Sequence, residues 1–368
     1  MDIQKNGEIT SEYSQERRAV KVAHKRVVAA VFCIVIGPCA AHVKNDAVAE
    51  LNTYLDQAHQ SGLLNGNILI ADHGKVILQR AIGYADASRM LPLRLSDRFD
   101  IGSISKEFDA VGILILAEEG KLSLTDPVSK FLPDLPPWAA TVTIDDLMHC
   151  TSGLPDVDWK TVGSDADAYR NHRALKQLDY PAGTHYAYNN NNTFLRRQVI
   201  EKVSGMSFSE FITRKEFPKA GIRDAVIDPT DATPRMAKSF DRNFTQDPMT
   251  LDISGWTALT VNDFFRWSNC MTSFCLITPD STSQLGLGRH PGWPTALGHW
   301  DMKGDHLMRL VHDGNDHNFE ALLTTNSSKS RTIILETNQN DHVYAIAEAV
   351  NAILDGKPYI PLSAAKVD

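Results

Sequence analysis

Strand-patterned runs stand at both ends of this chain and helical patterns fill its middle. Near the start, two β-rich runs within Gly66–Tyr84 flank Asp72-His73-Gly74, a hairpin signal. Near the end, His306–Val311, Ala321–Thr325 and Thr332–Thr337 read as strands, the last two on either side of the turn-like Asn326–Lys329. Between about Asp156 and Gln284 the apolar spacing is mostly helical. Strands at the two ends bury their apolar faces by joining one sheet. The order therefore predicts an α/β (α+β) fold: an antiparallel sheet flanked by helices, built from both chain ends, with a mostly helical domain inserted. The expected boundaries are 46–125 and 290–360 for the α/β domain, 126–289 for the helical domain and 361–368 for a tail. Clefts between domains are where ligands commonly sit.

The helical patterns have recognisable ends. Val48, Leu51 and Leu55 predict a helix over Asp46–His59. Phe108, Val111, Ile115 and Leu116 predict another, closed by Gly120. Thr143 with Asp146 predicts a capping box, and Gly153 a stop. Further helices are expected over Asn192–Val203, over Ser207–Phe217 with an end at Pro218, from Thr260 to Met271, and over Val343–Leu354.

Charge and cysteine content exclude several classes of function. The net charge is −8 and no long basic run lies outside the N-terminal region, so no nucleic-acid partner is expected. No His or Cys cluster has zinc-like spacing, so no metal and no cofactor is expected. Lys21, Lys25 and Arg26 precede the apolar run Val27–Ile36, then Gly37-Pro38 and the small residues Cys39-Ala40-Ala41. That is the order of an export signal, read here as residues 1–41. The run is shorter than the about 20 residues that span a bilayer, so no stable membrane span is expected after signal removal. Periplasmic or secreted localisation follows, with a membrane anchor as the alternative. Cys150, Cys270 and Cys275 would remain. They read as buried thiols, with Cys270 and Cys275 the closer pair if a disulfide forms.

The chemistry centres on Phe99–Phe108, where Ser103 lies three residues before Lys106 at a predicted helix start after Gly102. Residues i and i+3 share a helix face, so the hydroxyl and the amine can meet. An unassisted serine is a weak nucleophile, and a neutral amine beside it can take its proton. A second S-x-x-K, Ser363–Lys366, falls in the tail with no apolar helix after it.

A nucleophile also needs a proton donor for the leaving group and donors for the oxyanion. Tyr188 is the candidate relay, on the expectation that a cationic lysine nearby pushes it toward phenolate. Asn190 offers an amide to a substrate, and the run Asn189–Asn192 suggests a special loop because asparagines sit poorly inside a helix. His312-Asp313-Gly314 is expected to end a strand, with Gly314 allowing close backbone approach by a ligand. The N–H of Asn315, with that of Ser103, would form an oxyanion hole. Tyr169-Arg170-Asn171 and His290-Pro291-Gly292 look similar but stand in a polar helical run and a Gly/Pro-rich stretch.

In this order the elements resemble the serine β-lactamase and penicillin-binding protein superfamily, on the branch with class C β-lactamases, DD-carboxypeptidases, D-aminopeptidases and esterases. The resemblance runs from about Leu51 to Ile353 and includes Gly120–Val128, Leu147–Pro155, Ser254-Gly255-Trp256 and Thr260–Asp263. It implies a β-lactamase/transpeptidase-like fold, with Ser103 as acylated nucleophile, Lys106 as base partner and Tyr188 as proton relay. Asn190, His312, Gly314 and Asn315 would bind substrate. The implied activity is an exported serine hydrolase acting on amides, D-amino peptides, β-lactams or small esters. The substrate would be a small molecule or peptide, with a cell-wall fragment as one source. The alternative is a penicillin-binding sensor or scaffold that turns over slowly. His312 stands where class C enzymes usually carry lysine, which shifts weight from β-lactamase toward peptidase, amidase or esterase activity. Cys150 replaces the usual threonine, and Asp316-His317-Asn318 lacks the usual glycine-rich stretch.

Overall fold

The computed structural model describes residues 39–249, 253–286 and 293–362. Most of the leader-like segment, His290–Gly292 and the second S-x-x-K lie outside the described residues. Lys44–Asp368 cluster as one compact unit and Met1–Val43 as another.

Helix α1 (Cys39–Gln60) leads into strands β1 (Gly66–Asp72) and β2 (Lys75–Ile82). His73 and Gly74 form the two-residue turn between them, both with positive φ, at +50° and +74°. That conformation is what a tight hairpin requires, and the sequence signal is met. After β3 (Phe99–Asp100), a 3₁₀ turn over Gly102–Ser105 runs into α2 (Lys106–Glu118).

The middle of the chain holds α3 (Ile144–Met148), α4 (Asp165–Ala174), α5 (Asn190–Ser204), α6 (Phe208–Lys215) and α7 (Phe217–Ala220). The Thr143 capping box is present. Pro218 sits in the first turn of α7 rather than ending α6; its missing N–H would be unpaired there in any case. Strands β4 (Val226–Ile227) and β5 (Thr257–Leu259) join β3 in a small three-stranded sheet that the sequence did not suggest. Runs of two or three residues are too short for a period-2 pattern to register. Helices α8 (Val261–Thr272) and α9 (Pro279–Gly286) follow, and Cys270 is disulfide-bonded to Cys275, not a free thiol. Cys150 is free and buried.

Strands β6 (His299–Lys303), β7 (His306–Asp316), β8 (Phe319–Asn326) and β9 (Arg331–Thr337) precede the closing helix α10 (Val343–Leu354). The main sheet is antiparallel, in the order β2-β1-β9-β8-β7-β6. Strand β1 meets β9 with Gly66 opposite Thr337, so the two chain ends close one sheet. Alternate residues supply its two faces. Ile68, Ile70, Leu322, Ile333 and Leu335 pack under α1 and α10. Leu69, Ala321, Leu323 and Ile334 pack toward α2 and α8. The sheet thus presents β7 to the start of α2, where Ser103 lies.

Candidate active site

Ser103 sits on the 3₁₀ turn, one turn earlier than a regular helix start. Asp100 Oδ1 accepts the Gly102 N–H at 2.7 Å, and Ser105 Oγ accepts the Thr257 N–H at 2.9 Å. The turn is therefore held from both β3 and β5. Gly102 has φ +53°, and a Cβ there would lie 2.4 Å from the Asn315 nitrogen. A Cβ on Gly314 would lie 2.1 Å from the Ile101 carbonyl oxygen and 2.7 Å from the Ser103 nitrogen. Two glycines let backbone meet backbone where strand β7 passes the serine turn.

Strand β7 does not end with His312-Asp313-Gly314, as the sequence suggested, but continues to Asp316. Its polar residues hid the extension, because His312, Asp313, Asn315 and Asp316 break an apolar pattern. Strand β6 pairs with it only as far as Val311. Beyond that no strand among the described residues pairs with this edge. Asn315, opposite Glu320, lies one step in from the two-residue turn His317-Asn318. The alternation of an antiparallel ladder points its N–H away from β8, toward the serine turn.

Ser103 Oγ lies 2.9 Å from Lys106 Nζ and 2.7 Å from the Tyr188 hydroxyl. Lys106 is 3% exposed. Burial first, then the Arg197 and Arg196 guanidiniums, push its ammonium down to about 7, against the opposing pull of Asp109. The amine also lies 5.0 Å from the Trp256 ring and 5.1 Å from the Tyr188 ring, contacts that favour its charged form. Desolvation outweighs them, since a buried lone ammonium costs more than the about 1–2 kcal/mol of a ring contact.

The expectation of a phenolate at Tyr188 is corrected. Burial pushes its hydroxyl up to about 12, against the hydrogen bond to Ser103. The residue keeps 46% of its surface exposed, yet burial around the hydroxyl holds the phenol protonated. Of the two groups on Ser103 Oγ, the Lys106 amine is the one its surroundings push toward a proton-accepting, neutral form.

Asn189 to Asn192 do not form a special loop. Asn189 caps α5, its side chain accepting the Asn192 N–H, and the next three asparagines make the first turn. A cap position is where asparagine is favoured. Asn190 Oδ1 is buried without a partner. Asn190 is not in the wall of the cavity at the serine, which measures about 240 Å³ and is lined by Ser103, Tyr188, His312, Asp313, Gly314 and Asn315 among others. A larger cavity of about 370 Å³ between α10 and Pro358–Leu362 holds none of these groups.

His312 is placed differently from a free substrate ligand. Its Nδ1 lies 2.7 Å from Glu107 Oε1, and Glu107 Oε2 accepts the Trp267 indole N–H at 2.6 Å. Glu107 is fully buried. Sequence reasoning missed Glu107, His299, Thr295 and the lining role of Asp313. Glu107 follows Lys106 directly, so its burial beside β7 was the only signal, and that is a tertiary fact.

The sequence matches the Beta-lactamase family model over residues 46–341. Penicillin-binding protein 4* of Bacillus subtilis (strain 168) is 25% identical, over 86% of this chain and 78% of the relative. A penicillin-binding protein from Bacillus halodurans superposes with a TM-score of 0.71 at 22% identity, covering 82% of this chain and 98% of that one. A class C beta-lactamase superposes at 0.68 and 18% identity, covering 87% and 98%. The matched span takes in the serine turn, Tyr188 and strand β7, and the chain belongs to the beta-lactamase family of serine hydrolases, with penicillin-binding protein homologues.

Proposed function

We propose that this protein is an exported serine hydrolase that forms an acyl-enzyme at Ser103. The observation that carries the reading is the contact of Ser103 Oγ with both a buried, near-neutral Lys106 amine and a protonated Tyr188 hydroxyl. The neutral amine takes the serine proton as Oγ attacks the substrate carbonyl. The N–H groups of Ser103 and Asn315 receive the oxyanion. Tyr188 delivers a proton to the leaving group, and the proton held by Lys106 restores it. Water then attacks the acyl carbonyl, with the same groups acting in reverse.

Amides, D-amino peptides and small esters are the substrates we favour, with β-lactams below them. Among the described residues no lysine or arginine lines the cavity to hold a β-lactam carboxylate. Export is supported by the Cys270–Cys275 disulfide, which suits an oxidising compartment. No helix among the described residues is long and apolar enough to cross a membrane. The rival reading, suggested by the names of the relatives, is a penicillin-binding sensor or scaffold that is acylated but not deacylated.

Intact-mass measurement with a fluorophosphonate and with labelled penicillin tests both readings. A wild-type adduct absent in Ser103→Ala is expected, with turnover of an ester panel. A persistent penicillin adduct without turnover would favour the sensor. No adduct with any probe would sink the serine mechanism.

A further inference from the structure

The charge of the Ser103 cavity points to what it accepts. Asp313 is the carboxylate among the described residues that line it. Its Oδ1 accepts the Tyr344 hydroxyl of α10 at 2.8 Å, which fixes the side chain beside the edge of β7 beyond Val311. Asp313 precedes Asn315 by two residues, about 7 Å along a strand. A substrate whose carbonyl oxygen rests on the Asn315 N–H therefore places its next few atoms near this carboxylate. The field of Asp313 is felt at the Tyr188 hydroxyl and at His299.

Among the described residues no lysine or arginine stands in the wall to compensate Asp313. The Nδ1 of His312 is taken up by buried Glu107 at 2.7 Å and is not presented to the cavity. His299 is held toward its neutral form by burial and by His312. Arg309 lies on the same face of β7 but is exposed and does not line the cavity. Lys106 is near neutral and sits behind the serine.

We propose that Asp313, held by Tyr344, is a specificity determinant: the site takes substrates that are neutral or positively charged beside the scissile bond and rejects those with a carboxylate there. This rests on the Ser103 acyl-enzyme reading. Two like charges about 6 Å apart, at an effective dielectric between about 20 and 80, discriminate by roughly three- to hundredfold.

The test compares hydrolysis of 4-acetoxybenzamide and 4-acetoxybenzoate, which differ by one charge at the same place. After division by the uncatalysed ratio, wild-type kcat/KM is expected to favour the amide by about tenfold. The preference should shrink toward unity in Asp313→Asn, whose side chain can still accept from Tyr344. Raising salt from about 0.02 to 0.5 M should shrink it in the wild type as well, because an exposed charge is screened. The salt series needs no variant, so it stands even if Asp313→Asn misfolds. A wild-type ratio near one, a preference for the acid, or a ratio unmoved in an active Asp313→Asn would overturn the proposal. Loss of all turnover together with absence of any Ser103 adduct would instead overturn the acyl-enzyme reading beneath it.

Discussion

Lys106 can act as a base only while it is uncharged, and its surroundings set when that is. The depressed value of about 7 has the sign of burial, aided by Arg197 and Arg196. The neutral, active fraction therefore grows as pH rises. Acylation, read as kcat/KM on a neutral ester, should climb nearly tenfold per unit below about pH 6.5 and level off above about 8. Lys106→Arg should remove the climb along with at least about a hundredfold of rate. A flat wild-type profile from pH 5 to 9 would refute the role. The sequence made the Ser103–Lys106 pair legible because both residues lie on one turn. It gave no sign of the lysine's protonation state, because the arginines that help set it lie about ninety residues away on α5. A separation of 205 residues hid Glu107 as the partner of His312.

Strand β7 and the serine turn form one element of function, and two glycines set their spacing. Gly314→Ala would put a methyl group 2.1 Å from the Ile101 carbonyl and 2.7 Å from the Ser103 nitrogen, both backbone atoms. Neither can swing aside as a flexible side-chain tip would. The strand or the turn must move, so the Asn315 donor leaves its place. Overpacking of this kind costs about 1–3 kcal/mol, and losing one oxyanion donor costs roughly 10²–10³ in rate. Urea denaturation and acylation rate together check this: a stable variant acylated at the wild-type rate would show that the two backbones are not tightly coupled. The sequence marked Gly314 as a point where a ligand approaches the backbone; its contact with the backbone of the serine turn was not read there. The length of β7 was not legible either, because its polar end serves the site and not the core. Strand β6 was missed for a related reason, since His299–Lys303 is short and mostly solvent-facing.

At the scale of the whole molecule, the order of strand and helix patterns carried the sheet built from both chain ends, because that sheet buries period-2 apolar faces that sequence records. The acids inside it were not foreseeable from pattern. Glu336, on β9 at the centre of the main sheet, is fully buried and neither of its carboxyl oxygens has a partner. Burial, then Asp263, raises its pKa well above the ordinary value. Its opposite number across the ladder, Asn67, also has a buried Oδ1 without a partner, an acceptor suited to a protonated carboxyl. In the unfolded chain the same glutamate ionises near 4.3. Between pH 5 and 7 the native state therefore holds a proton that the unfolded state has lost, and this group's contribution to stability falls as pH rises. Glu336→Gln keeps the shape and a donor but removes the titration. The buried histidine His172 and the other buried acids, Glu216, Asp100 and Asp341, act equally on wild type and variant, so the difference isolates Glu336. Urea denaturation at pH 5, 6 and 7 should show the variant gaining on the wild type by up to about 1.4 kcal/mol per pH unit. Parallel pH profiles would mean that Glu336 is ionised in the native protein and has found a cationic partner that its buried position on β9 does not reveal.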